Sequence, residues 1–233
     1  MNLPQHLGII LDGNRRFAKS LNQDLWKGHE FGYKKVLDLL KWCKEFDIKE
    51  LTLYVFSIQN FNRPKIEFNF LMKLFEKAAS EAIKKDEKDK RKEDVKISFI
   101  GRLNMLPKKI QEYINKIQDR TKDNKSYKLN FAMAYGGREE LEDAMKQIAK
   151  KIALGEIKAE EINQEIIDDH CYMSSKPDLI IRTGGEKRTS NFLVWQSSYS
   201  EWIFLDKKWP EFTKSDFINC LDEYSLRQRR FGK

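Results

Sequence analysis

The sequence predicts an α/β fold: a single domain, 1–233, with a mostly parallel central sheet flanked by helices. Three observations lead there. Short apolar runs alternate with amphipathic segments along the whole chain, the order that feeds parallel strands joined by crossover helices. The 233 residues can bury a full core, and no repeat, Pro-rich linker or low-complexity segment divides them. Basic and Gly-rich loops recur directly after the strands, at the edge where open sheets of this class bind ligands.

Residues 7–11 (L-G-I-I-L) are apolar and too short for a helix, so they read as a buried strand ended by the turn Asp12-Gly13-Asn14. Residues 30–46 place Val36, Leu39, Leu40, Cys43 and Phe46 on one helical face. A β-rich run, 51–56, stops at Ser57. Residues 68–83 predict a helix after Pro64, with Leu71, Leu74, Phe75, Ala78, Ala79 and Ala82 on one stripe. That stripe could line an apolar tunnel, although filling a core is the commoner use of such a pattern. Then follow strand 95–100, helix 107–117, strand 129–135, helix 139–152, short strands at 178–181 and 202–205, and a closing helix 215–230. Residues 84–96 interleave seven basic and five acidic side chains, the pattern of a solvated helix extension or loop.

Lys and Arg exceed Asp and Glu by 44 to 36, a formal charge of +8. Such a surplus fits anionic ligands, a membrane surface or nucleic acid and does not choose among them. Cys43, Cys171 and Cys220 are scattered, with no C-x-x-C pair, so a reducing cytosol is the expected setting and neither zinc nor a disulfide framework is indicated. No apolar stretch is long enough to span a bilayer. Peripheral contact with a membrane stays open.

The chemistry concentrates in two stretches. In D-G-N-R-R, Asp12 follows a strand and Arg15 and Arg16 open a helix, whose free N–H groups and guanidinium forks favour a phosphate. An acid beside a phosphate needs a cation between them, and Mg2+ fits: Asp12 holds the metal and the metal holds a diphosphate. After strand 178–181 come Arg182, Gly184, Gly185, Arg188, Thr189 and Ser190, donors that can converge on a second diphosphate. Arg182 could alternatively pair with Glu186. Glu201 sits among Trp195, Tyr199 and Trp202, where a bare carboxylate would call for a metal or an Arg. No G-x-x-x-x-G-K-[ST], G-x-G-x-x-G or D-D-x-x-D motif is present, which argues against P-loop, dinucleotide and all-helical prenyl-transfer chemistry.

The stretches H-L-G-I-I-L-D-G-N-R-R-F-A (6–18), G-H-E-F-G (28–32), L-T-L-Y-V-F-S-I-Q-N-F-N-R-P (51–64), Y-G-G-R (135–138) and I-R-T-G-G-E-K-R-T-S-N-F-L-V-W-Q-S-S-Y-S-E (181–201) run in one order across the chain. In them the sequence resembles the cis-prenyltransferases of the undecaprenyl diphosphate synthase type. The resemblance implies a homodimeric, Mg2+-dependent, cytoplasmic enzyme with an apolar tunnel for the growing chain. It would add isopentenyl diphosphate to an allylic prenyl diphosphate, farnesyl or geranylgeranyl, in cis geometry. It further implies that Asp12 binds Mg2+ with Glu201, and that Gly13, Asn14, Arg15, Arg16 and Phe17 hold the allylic diphosphate. Arg182, Arg188, Thr189 and Ser190 would hold isopentenyl diphosphate. His29, Ser57, Ile58, Gln59, Phe61 and Arg63 would shape the pocket, and Arg230 would reach a partner's site. Asn60 matches the position credited with proton removal, but a carboxamide is too weak a base to act alone and would instead orient water or a diphosphate.

Four positions depart from the family pattern: Gln59 stands for Glu, Phe61 for Trp, Arg15 for Gly, and Leu25 for an Arg, with Lys27 as the candidate substitute. The charged extension at 84–94 would lengthen the tunnel wall, implying a product of about ten or more isoprene units. A non-catalytic partner subunit of this fold should have lost the phosphate-binding residues, and here they are present. A basic RNA-binding domain is disfavoured because the arginines cluster with glycines and an acid rather than along one face with aromatics.

Overall fold

The computed structural model describes residues 3–88 and 94–227. Six strands, β1 (His6–Ile10), β2 (Glu50–Ser57), β3 (Val95–Ile100), β4 (Tyr127–Tyr135), β5 (Leu179–Arg182) and β6 (Glu201–Phe204), form one sheet in the order β3-β4-β2-β1-β5-β6. Every pair is parallel. Leu7 lies level with Leu51 on one side and Leu179 on the other, and β1 and β5 are buried at each position, as strands covered on both faces must be. From β1 the chain moves one way to β2 and the edge strand β3, places β4 between those two, and then crosses to the other side for β5 and β6. The switch point between β1 and β5 is where such sheets open a crevice at the strands' carboxyl ends.

Among the described residues seven α-helices cover the sheet: α1 (Asn14–Ser20), α2 (Gly28–Glu45), α3 (Lys65–Lys88), α4 (Lys108–Thr121), α5 (Gly137–Ala153), α6 (Gln164–His170) and α7 (Lys214–Leu226). On one face Leu7, Ile9 and Ile181 pack with Leu39 and Cys43 of α2 and Phe217 and Leu221 of α7. Beside them Leu71 and Met72 of α3 and Ile110 and Ile114 of α4 pack on Phe56 and Met133. Leu39 is fully buried, so Leu39→Ala would cost about 2–5 kcal/mol in lost transfer energy and cavity. On the opposite face Tyr54, Tyr135, Ile180 and Phe192 form a second cluster. There Glu140 of α5 accepts from Tyr135 Oη (2.5 Å), Gln196 Nε2 (2.9 Å) and Tyr172 N–H (2.8 Å). Burial pushes its carboxyl above the usual range.

Each predicted element is present, with shifted ends. α3 starts directly after Pro64 and brings Glu67 into its first turn, because proline suits the approach to a helix start. α6 escaped the sequence reading: its seven residues are too few to show a period, and its start is fixed by Asn163 Oδ1 accepting Ile166 N–H at 3.0 Å. α7 starts with a reciprocal cap between Thr213 and Asp216. The end of the predicted 215–230 helix, Arg230 and the core of the 84–96 charge run lie outside the described residues. No described helix is long and apolar enough to cross a membrane.

Candidate functional site

Asp12 leaves β1 at the switch point, and the neighbouring strand carries Arg182 to meet it. Arg182 NH2 donates to Asp12 Oδ2 at 2.8 Å, and Arg16 NH2, one helical turn beyond the acid, donates to Oδ1 at 3.1 Å. Arg182 NH1 donates to Ser190 Oγ (2.6 Å) and to the Arg188 carbonyl. The Arg182 side chain is only 4 % exposed, and its Nε has no partner. The loop bearing Asp12 is braced from behind: its carbonyl accepts Thr183 Oγ1 (2.8 Å) and Trp209 N–H (2.9 Å). Gly13 turns at φ 105°, where a Cβ would come within 2.7 Å of Lys208, so that position needs glycine on two counts.

Sequence reasoning left Arg182 a choice of partners, and the structure gives it Asp12. Glu186 instead pairs with Arg188 NH1 (2.5 Å) and Arg16 NH1 (3.5 Å). One exposed carboxylate thus touches an arginine from each of the two predicted diphosphate sites. Glu67 plays the same part on the other side of the mouth and was missed in the sequence. Its side chain, 3 % exposed, accepts from Arg63 NH1 (3.0 Å) and lies 3.4 Å from His29 Nε2 and 3.6 Å from Arg15 Nε. Burial alone would raise the Glu67 carboxyl, but the His29 hydrogen bond and the Arg63 and Arg15 charges hold it below the usual range. Burial lowers His29, leaving it neutral near pH 7. The available sequence signal was the Arg63/Glu67 spacing of four at a helix start.

Ser57 caps a short 3-10 turn, Ile58–Asn62, whose Asn60 Oδ1 accepts the Ser57 N–H at 3.1 Å. The Asn60 oxygen is therefore occupied in shaping the turn that presents Ser57, Gln59 and Arg63 to the mouth.

Behind this polar rim lies a cavity of about 970 Å³, at the upper end of the ~300–1,000 Å³ usual for small-molecule pockets. Asp12, Gly13, Asn14, Arg15, Arg16, His29, Ser57, Gln59, Asn60, Arg63, Arg182, Arg188 and Ser190 line its mouth. Its depth is apolar. Leu129, Phe131 and Met133 of β4 alternate onto it, with Ile97 and Phe99 of β3 beside them, and all six residues of the α3 stripe face it from above. Phe17, Ile58, Phe61 and Thr189 are not among the lining residues. Phe17 packs on Phe31 at 5.3 Å and Phe61 on Phe56 at 5.0 Å between ring centres. Lys27, a candidate stand-in for a missing Arg, is half exposed and lies 3.9 Å from Asp24. Arg102, just past the end of β3, is bound to Asp143 and Glu142.

Glu201 is not brought to Asp12. It opens β6 level with Leu179, three residues before the level of Arg182, or about 10 Å toward the other end of the sheet. There Arg227 NH1 holds it at 2.8 Å. A role for Glu201 beside Asp12 therefore requires a second copy of the chain. Among the described residues no three His, Cys, Asp or Glu gather as metal ligands. Mg2+ needs no such cluster, since it commonly takes one or two carboxylates, water and substrate phosphates. Asp12, 29 % exposed at the mouth and ringed by guanidinium groups, fits that mode.

A rim of arginines around Asp12 over a deep apolar cavity at a sheet switch point is the arrangement of an α/β protein that takes an anionic group with a hydrocarbon tail. The family described as "Putative undecaprenyl diphosphate synthase" matches residues 10–232, and the chain belongs to it: it is a cis-prenyltransferase. It is 48 % identical over 236 residues to a Methanocaldococcus jannaschii protein, covering all of this chain and 84 % of that one. A Thermococcus kodakarensis protein is 44 % identical, covering all of this chain and 88 % of that one. Both relatives bear the name tritrans,polycis-undecaprenyl-diphosphate synthase (geranylgeranyl-diphosphate specific). Lavandulyl diphosphate synthase from Lavandula x intermedia, solved with dimethylallyl diphosphate, superposes with TM-score 0.93 at 34 % identity over 99 % of each chain. A probable undecaprenyl diphosphate synthase from Campylobacter jejuni does so with TM-score 0.81 at 33 % identity over the full length of both.

Proposed function

We propose that this enzyme extends geranylgeranyl diphosphate with successive isopentenyl diphosphate units in cis geometry, giving a long-chain polyprenyl diphosphate. The observation that carries the proposal is the joining of two arginine sets, around Asp12 and around Arg182, to a cavity of about 970 Å³ walled by hydrocarbon. The names of the relatives support the starter and a long product. The lavandulyl enzyme's likeness admits a short-chain reading, which the volume of apolar space behind the mouth disfavours.

In the proposed reaction the allylic carbon–oxygen bond breaks and the departing diphosphate keeps the electron pair. The isopentenyl double bond then forms the new carbon–carbon bond, and a proton leaves the adjacent carbon. Arg16 with Asn14 and the Gly13 backbone would hold the allylic diphosphate, and Arg182, Arg188 and Ser190 the isopentenyl diphosphate. Mg2+ held by Asp12 would supply positive charge to the leaving diphosphate. The apolar walls exclude water, which would otherwise capture the allylic cation. Neutral His29 and Arg63, fixed by Glu67, position the turn over the reacting ends, and Asn60 orients the group that takes the proton.

The test is incubation of purified protein with labelled isopentenyl diphosphate, Mg2+ and starters of several lengths, with products sized by chromatography. Geranylgeranyl diphosphate should be the preferred starter and chains of ten or more units the main product. A product that stops after one addition would refute the long-chain reading, and no incorporation with any starter would refute the activity.

A further inference from the structure

The Y-G-G-R stretch at 135–138 makes none of the diphosphate-site contacts described above, although it leaves β4 at the strand end that faces the mouth. Its partner is Asn191, which follows Ser190 and also lines the cavity. Helix α5 starts after Gly136, a residue with no side chain to cap it, and Asn191 supplies the cap from elsewhere in the chain. Asn191 Oδ1 accepts Arg138 N–H at 2.8 Å, and Asn191 Nδ2 donates to Glu139 Oε2 at 2.8 Å. The Asn191 carbonyl accepts Gly137 N–H, also at 2.8 Å. Gly136 leaves room for this bond set, since a Cβ there would lie 2.7 Å from Asn191 Nδ2.

The turn so clamped enters the left-handed region at Ser190 (φ 50°), Asn191 (φ 65°) and Leu193 (φ 46°). Asparagine visits that region readily, whereas serine and leucine do so at a cost, so the turn must be held in shape by its surroundings. On one side the fully buried Phe192 stacks on Tyr54 at 4.8 Å between ring centres, and Tyr54 Oη donates to the Ser190 carbonyl at 3.4 Å. On the other side stands the Asn191 clamp. What the turn presents is Ser190 Oγ, which takes Arg182 NH1 at 2.6 Å.

Resting on the proposed assignment of isopentenyl diphosphate to Arg182, Arg188 and Ser190, we infer that Asn191 is the positioning residue of that subsite. Its amide fastens the 190–193 turn to the first turn of α5 and so holds Ser190 Oγ and Arg182 ready for the diphosphate. Residues that favour the left-handed region are glycine, asparagine and aspartate. Of these only asparagine offers an acceptor to Arg138 N–H and a donor to Glu139 at once. Without the clamp the turn would have to be ordered by the ligand, and that ordering is taken from affinity.

Calorimetry reads binding of isopentenyl diphosphate alone, with no starter present, and initial rates give half-saturating concentrations for it and for geranylgeranyl diphosphate. Asn191→Gly keeps the backbone and removes the amide; thermal unfolding shows that it folds. Losing two hydrogen bonds should weaken isopentenyl diphosphate about tenfold in both measurements. The starter's half-saturating concentration should move by less than about twofold, because its proposed holders, Gly13, Asn14 and Arg16, lie on another loop. Asn191→Asp sets a carboxylate against Glu139 and should bind as weakly. Adding Glu139→Gln to it should restore binding to within about threefold of wild type, since the new amide donates to the new carboxylate. A residue serving stability alone would lower Tm and the active fraction and move neither half-saturating concentration. Unchanged isopentenyl diphosphate binding in Asn191→Gly, equal losses for both substrates, or no rescue in the double variant overturns the positioning role. Should Asn191→Gly not fold, Asn191→Asp and its rescue decide. If wild type elongates no starter the proposed reaction fails, while calorimetry still decides the positioning role; wild type that binds no isopentenyl diphosphate overturns both.

Discussion

Replacing Asp12 by Asn tests the site through two quantities at once. Asparagine keeps the shape but removes the charge, leaving Arg182, 4 % exposed, with neutral acceptors alone, among them Ser190 Oγ and the Arg188 carbonyl. Breaking a fully buried pair costs about 3–5 kcal/mol. Asp12 is 29 % exposed, and the Asn carbonyl can still accept one hydrogen bond, so about 2 kcal/mol is the expected loss. For a chain of this size that lowers Tm by about 4–8 °C. Turnover should fall further in proportion, about 100- to 1,000-fold, because in the proposed reaction the acid would act on charge that develops only as the diphosphate leaves, while half-saturating substrate concentrations change much less. Inorganic pyrophosphate should raise the Tm of the variant more than that of wild type, since an anion re-pairs the stranded guanidinium. Thermal unfolding and initial rates measure both. Wild-type turnover in Asp12→Asn would refute the assignment of this rim as the reacting centre.

Arg188→Ala should raise the half-saturating isopentenyl diphosphate concentration by a factor worth about 1.5–3 kcal/mol for a charge-assisted contact, with turnover less affected; steady-state kinetics decide it. Ala79→Trp narrows the cavity under the α3 stripe and should truncate the product ladder, which chromatography reads directly. Glu186→Gln removes an acid that competes for Arg16 and Arg188, so calorimetry should show tighter pyrophosphate binding, by about two- to fivefold given that exposed pairs are worth ~0–1 kcal/mol. Glu140 has a folded pKa raised by burial, so its contribution is fully present below the ordinary Glu value and is lost as pH rises through the raised one. Urea unfolding across that window should show wild type losing stability relative to Glu140→Gln, and parallel curves would refute it.

How much of this was legible in the sequence depended on distance along the chain. D-G-N-R-R and R-T-G-G-E-K-R-T-S each marked a cluster of donors within a few residues of a strand end, and residues of both line the mouth of one cavity. The α3 stripe was legible as a period, and all six of its residues face the cavity. Whether a stripe meets a void or a packed neighbour is a matter of volume, which no pattern of residue types encodes. Glu67 was legible only through its spacing of four from Arg63, because its other partner His29 is 38 residues away and its acid reads as an ordinary first-turn residue. The bond between Asp12 and Arg182 spans 170 positions and exists because β1 and β5 are neighbours, a fact of strand order rather than of either motif. Strand register also decides where Glu201 stands: the resemblance pairs it with Asp12, but it opens β6 three residues before the level of Arg182, a placement that no spacing along the chain encodes.

The mouth holds its cations already paired, and the depth of each pair decides what a diphosphate can recruit. Glu186, Arg16 and Arg188 are 37 %, 46 % and 61 % exposed, so their pairs are screened and cheap to break. Glu67 is 3 % exposed, and pulling Arg63 from it would strand a buried charge at several kcal/mol. Incoming diphosphates should therefore take Arg16 and Arg188 from Glu186 and leave Arg63, His29 and Glu67 as a fixed wall. Substrate affinity is then the difference between two sets of ion pairs. In the proposed reaction, a site that binds a diphosphate tightly enough to ionise it and then releases it would gain from that cancellation.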